Sequence, residues 1–242
     1  MSMFTLKEYS VSGMKLPITA LPISGLVLTD NPVDEEKSLT LKNIIEEFRQ
    51  RGDPILQELA SLLSLQEKCT ASIVMTSGVP APYDAWTGNF DNSLGIFFNL
   101  DQWSISDLEN QGLAVLKHEL AHLVIAKHIQ KLPAEDFVDR LEQIVLDEGI
   151  AHFIGFPRDR GSVLIKERAR GEFAEKKLEE ALLVLRDHKL SNEEKKAVLI
   201  PANTGSYWEK YGAIAGMFRA AKIFEAEGVA GFARAIRSGK LR

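Results

Sequence analysis

Leu113-Ala114-Val115-Leu116-Lys117-His118-Glu119-Leu120-Ala121-His122-Leu123-Val124-Ile125-Ala126 is apolar around nearly the whole circumference of a helix, yet it carries two histidines and a glutamate. A helix that is apolar all round is a buried one. Burying an imidazole pair beside a carboxylate is costly unless something compensates, and a dication compensates. Residues four apart stand one above the other on a helix, so His118 and His122 can converge on one tetrahedral metal. Glu119 lies about 100° round the same helix, close enough to address a water at the metal without becoming a ligand. The plain alternative is a core helix with two satisfied histidines and a solvated glutamate.

Working outward, Ser104 and Ser106 are both candidate N-caps, and Ser106 with Glu109 fits a capping box. The helix they open runs to about Lys131, where Leu132-Pro133 stops it. A second helix is predicted over about 134–154, closed by Gly155 and Pro157. On it Phe137, Leu141, Ile144 and Val145 mark a core-facing stripe, and the same spacing carries on to Glu148 and His152. An inward carboxylate without a partner is strongly unfavourable, and a catalytic zinc takes three protein ligands and keeps one position open. Glu148 is therefore the candidate third ligand. About 15 Å of helix separates His122 from Leu132 and about 22 Å separates Pro133 from Glu148, so an angled return brings the carboxylate level with the metal. The small residues Gly149 and Ala151 permit close helix approach. His152, one turn on, is either a rival ligand or a support for the ligands, as metal sites usually have. Asp147 either hydrogen-bonds a ligating imidazole or is solvated.

Elsewhere residues 11–30 read as irregular structure or short strands, and two helices are predicted over 37–51 and 54–68, separated by Arg51-Gly52-Asp53-Pro54. Strands are predicted over 71–76 and 94–100, with a loop over 78–93 between them. A charged helix covers about 161–189, and the chain ends with a helix over 207–227 and a short one after Gly231. The fold class is helix-rich α+β. The 242 residues suit a single domain with two lobes, 1–132 carrying the sheet and the histidine helix, and 133–242 helical. A net charge of −5 argues against a nucleic-acid surface. The single cysteine, Cys69, excludes an internal disulfide and is placed at the end of a helix. No secretory leader is legible at the N-terminus, and no apolar run approaches the ~20 residues that span a bilayer. The expectation is a soluble, cytoplasmic protein that engages no membrane.

His118-Glu119-Leu120-Ala121-His122, followed on the next helix by Glu148-Gly149-Ile150-Ala151, resembles the gluzincin branch of zinc peptidases, especially small members carrying H-E-x-x-H and then E-G-x-A. The glycine and third histidine of the metzincins are absent. The resemblance covers roughly residues 70–220 and implies a zincin-like fold, with a small mixed sheet over the active-site helix and a helical C-terminal lobe. It implies one zinc ion on His118, His122 and Glu148, with Glu119 as general base in the hydrolysis of a peptide or protein substrate. It also implies an oxyanion donor from the C-terminal lobe. Tyr211, followed by Gly216 and Met217, is similar to the tyrosine-then-glycine helix of small relatives, and Tyr207 is a rival. A phenol stays protonated near neutrality and can donate to a developing oxyanion. Strand 94–100 is either the edge strand that pairs with an extended peptide or an ordinary sheet strand. At His152 thermolysin-like relatives carry an aspartate. Two other classes stay open: a zinc-binding interaction module without turnover, whose metal shell His152 closes, and a helical interaction protein with no metal.

Overall fold

The computed structural model describes residues 4–22, 25–63, 69–91, 93–129, 136–156 and 162–241. The protein is helix-rich α+β, and its strands form one small mixed sheet. It divides into two compact units, Met1–Leu123 and Val124–Arg242.

The first unit runs β1 (Phe4–Ser12), α1 (Glu35–Arg51), α2 (Pro54–Leu62), β2 (Cys69–Ser77), β3 (Ala85–Phe90), β4 (Ser93–Asn99), and then most of α3 (Ile105–Ile129). The sheet order is β1-β2-β4-β3, with the first three strands parallel and β3 antiparallel to β4. Parallel neighbours need a long connection, and α1 and α2 provide it between β1 and β2. In the register, Tyr9 pairs with Val74, Val74 with Phe97, and Phe97 with Trp86. That row faces Leu16, Ala20 and Val79 in one buried cluster. The Trp86 ring stacks on Phe97 at 5.2 Å and its Nε1 donates to the Ala20 carbonyl at 2.7 Å. On alternate residues, Phe4 meets Phe48 of α1 edge-on at 6.0 Å, and Phe98 lies 6.1 Å from Trp103.

Several expectations are corrected here. The N-terminal strand β1 was not anticipated, and the expected loop over 78–93 contains β3. The strand read at 94–100 is not an edge. It lies between β2 and β3, and the edges are β1 and β3. Ile96, Phe97 and Phe98 are all fully buried, as a central strand covered on both faces requires. Cys69 opens β2 instead of ending a helix, because α2 stops at Leu62; residues 64–68 of the helix expected over 54–68 lie outside the described residues. α3 is capped by Ser104, whose Oγ accepts from Asp107 N at 3.0 Å while Asp107 Oδ2 accepts from Ser104 N at 3.4 Å. The reciprocal pair is thus Ser104 and Asp107, not Ser106 and Glu109.

The second unit contains α4 (Phe137–Gly155), α5 (Val163–Lys166), α6 (Arg168–Leu185), α7 (Asn192–Asn203) and α8 (Tyr211–Ser238). Its core is α4 against α8, and α6 and α7 also pack on α8. Asp136 caps α4 by accepting from Asp139 N at 2.9 Å. The charged stretch splits into α5 and α6, and α7 follows behind a capping box of Ser191 and Glu194. Gly228, with φ 62° and ψ −152°, breaks α8 near where the sequence places the end of its penultimate helix. Tyr207–Glu209 forms a separate single 3-10 turn before α8. The expected stops at Leu132-Pro133 and Pro157 lie outside the described residues. Among the described residues no helix is long and apolar enough to cross a membrane.

Phe97 joins the β4 backbone to the aromatic cluster on one sheet face. Phe97→Ala should lower stability by about 3–5 kcal/mol, read as a shifted midpoint in urea unfolding.

Candidate metal centre

From Gly112 to Ala126, α3 is at least half-buried at every position, and Leu116, Leu120, Ala121, Leu123, Val124 and Ile125 are fully so or nearly so. The apolar sequence on all faces is the reason. Within this segment His118 and His122 stand one turn apart, and side chains at that spacing meet. Their rings are edge to face with centroids at 4.6 Å, and the two Nε2 atoms are 3.0 Å apart. Zinc–nitrogen bonds of 2.0–2.1 Å at a tetrahedral angle put two ligating nitrogens about 3.4 Å apart. The observed pair needs to open by only a few tenths of an ångström to hold such an ion.

Glu148 on α4 completes the group. His118, His122 and Glu148 each offer one ligand atom, and the three atoms lie within 4.8 Å of one another. All three side chains are half-buried. Two nitrogens and one carboxylate oxygen can hold a metal ion, and the mixed N/O donor set suits a first-row divalent metal better than calcium or magnesium, which favour oxygen alone. Glu119, adjacent to His118 in the chain, is only 6% exposed. A carboxylate at that depth requires compensation by charge or hydrogen bonds.

His152 is not a member of the ligand group. Its Nδ1 lies 2.9 Å from the Glu148 carbonyl and 3.5 Å from Glu148 Oε2. A carbonyl only accepts, so Nδ1 carries the proton and the ring acts on Glu148 from behind. The ring is nearly fully buried and packs against Tyr207 at 5.3 Å. Its Nδ1 is thus engaged with Glu148, within α4.

The two tyrosines are placed differently from one another. The Tyr211 hydroxyl donates to the Val198 carbonyl of α7 at 2.8 Å. Burial pushes its phenol up to about 12, so it stays protonated at neutral pH. Its one proton is committed to α7. Tyr207 meets Trp208 edge-on and the His152 ring at a tilt, and its hydroxyl donates to the weak acceptor Met217 Sδ at 3.6 Å. Desolvation, reinforced by the Glu167 charge, raises its phenol above the ordinary range.

The Glu148 backbone is held by a close helix contact. A Cβ built on Gly149 would stand 2.5 Å from Gly216 Cα of α8. The small residue noted in the sequence thus serves the α4–α8 contact. Sequence reasoning did not find the salt bridge of Lys117 with Asp53, 3.2 Å between Nζ and Oδ2; Asp53 was read only as part of a breaker. Compared with models of protein families, with curated proteins and with solved structures, the chain matches none.

Gly149→Ala should force α4 and α8 apart at the residue beside Glu148. Unfolding in denaturant should show a loss of about 1–3 kcal/mol, and metal affinity, measured by chelator competition, should fall with it.

Proposed function

We propose that this protein is a zinc-dependent hydrolase of the gluzincin type, acting on peptide amide bonds. One observation carries the reading: two imidazole nitrogens and a carboxylate oxygen from separate helices converge within 4.8 Å, next to a buried glutamate. Zinc in a three-ligand setting leaves a position open, polarises an amide carbonyl and lowers the pKa of a water toward neutrality.

The chain's own residues supply the rest. His118 and His122 would hold the ion from one face of α3, and Glu148 would add one negative charge against the dication. The His152 Nδ1–H on the Glu148 carbonyl fixes the backbone turn from which that carboxylate projects. Glu119 accepts the proton of the attacking water and returns it to the departing amine, as general base and then general acid. Tyr211 is not assigned to the oxyanion, because the Val198 carbonyl holds its proton.

A zinc-binding module without turnover is the competing reading, and His152 is the discriminating residue. A fourth protein ligand would close the shell, and the group that converges among the described residues is His118, His122 and Glu148, without His152.

Purified protein should bind one zinc per chain, measured by elemental analysis, and should hydrolyse peptide libraries. Glu119→Gln should retain the zinc and lose about 10²–10⁴-fold in rate, whereas Glu148→Ala should lose zinc itself. A Glu119→Gln protein that cleaves as fast as the parent would overturn the mechanism. A parent that binds zinc but cleaves nothing would leave the silent module in its place.

A further inference from the structure

Lys117, the residue immediately before His118, is tied to a carboxylate already locked in place. Asp53 is only 2% exposed. Its Oδ1 caps α2, accepting from Ile55 N at 3.1 Å and Leu56 N at 3.2 Å. Its Oδ2 takes the Lys117 ammonium at 3.2 Å, and the lysine side chain is itself 22% exposed. A capping carboxylate cannot swing without releasing the helix start, so Asp53 is a fixed anchor and Lys117 the tether. Five residues upstream, Gly112 faces α1 so closely that a Cβ there would stand 2.8 Å from Ile44 Cδ1. α3 is therefore held at Gly112 against translation toward α1, and at Lys117 against rotation about its own axis.

Rotation matters here. Successive residues are about 100° apart around a helix, so a turn of α3 moves His118, Glu119 and His122 together. It carries the imidazoles away from the Glu148 carboxylate. Metal geometry tolerates only a few tenths of an ångström. From this arrangement we propose that the Asp53–Lys117 pair is a positioning device for the metal centre, setting the rotational phase of α3 so that His118 and His122 meet Glu148. The proposal rests on the zinc reading above. Lys117 touches neither substrate nor metal in this role and acts through the helix backbone.

Charge offers the same pair a second route, and the test separates the two. An unpaired ammonium one residue from a ligand repels a dication, and Asp53 neutralises it. Asp53→Asn keeps the cap, since asparagine caps helices as well as aspartate, but weakens the tether and unmasks the ammonium. Asp53→Asn combined with Lys117→Met removes the tether and the ammonium together. Lys117→Arg keeps a charged tether of similar reach.

Zinc affinity is measured for each protein by competition with a chromophoric chelator, alongside thermal melting without metal. The expected result is that Asp53→Asn and the double variant both bind zinc about 10–100-fold more weakly, while Lys117→Arg stays within about threefold of the parent. Recovery of parental affinity in the double variant overturns positioning and leaves charge neutralisation as the pair's effect. A lowered melting temperature with unchanged zinc affinity also overturns the proposal, since it reports a structural role alone. A parent that binds no zinc overturns the metal reading and this proposal with it, an outcome distinct from a binding parent with unaffected variants.

Discussion

Two imidazole nitrogens 3.0 Å apart, with a carboxylate oxygen in the same group, form an arrangement that neutral side chains alone satisfy poorly. One shared proton can join the imidazoles, and the Glu148 carboxylate has the His152 ring 3.5 Å away. A dication answers all three groups at once, and its attraction for them grows as water is excluded. The centre is consequently a constraint on the whole chain. α3 and α4 must each deliver their side chains to one point, and each has to be held against sliding and turning by contacts that do not involve the metal.

Those contacts are of different kinds. α4 is held by closeness, with Gly149 against Gly216 leaving no room for a methyl group. α3 is held by packing at Gly112 and by charge at Lys117, and its start is set by the Ser104 and Asp107 cap. Close packing at a glycine fixes the approach of two helices at that point, and a directional tether adds an angular constraint. A single directional tether is effective against rolling, and a buried carboxylate whose other oxygen caps a helix is a rigid place to attach one. A buried ion pair contributes little net stability compared with apolar residues of similar size. Its value at Lys117 lies in direction, one residue from a ligand.

The site was largely legible in the sequence because helical periodicity is local. His118 and His122 follow from a four-residue spacing, and Glu148 follows from extending the stripe through Leu141 and Val145. The structure places the three together as that arithmetic requires. The sheet was less legible. β1 begins at Phe4, where Phe4 and Leu6 are buried but the residues after them are mostly half-buried, so a strand that gains its stability from pairing with β2 leaves a weak alternation. β3 contains Gly88 and Asn89, which read as loop, and it is a strand because β4 pairs with it and because Trp86 stacks on Phe97. Strand order is a long-range property, so nothing local distinguished β4 as central. The full burial of Phe97 alongside Ile96 and Phe98 is the physical mark of it. α7 was missed although its Ser191 and Glu194 capping box is a sequence signal, because the surrounding charges read as one exposed face.

The two tyrosines illustrate where resemblance and local chemistry part. Spacing before Gly216 singles out Tyr211, and a protonated phenol is the right donor type for an oxyanion. A phenol has one proton, however, and Val198 accepts it at 2.8 Å in the turn-to-turn contact between α7 and α8. Breaking that bond would remove a tie between α7 and α8 before any gain in the transition state. Tyr207 carries no comparable commitment at its hydroxyl, but its ring is engaged with His152, which in turn holds the Glu148 backbone. Both hydroxyls thus donate within the second unit, to Val198 and to Met217. In the proposed reaction a cation held by His118, His122 and Glu148 would supply the charge that stabilises an oxyanion, and Glu119, the carboxylate that the H-E-x-x-H spacing sets beside both imidazoles, would move the proton.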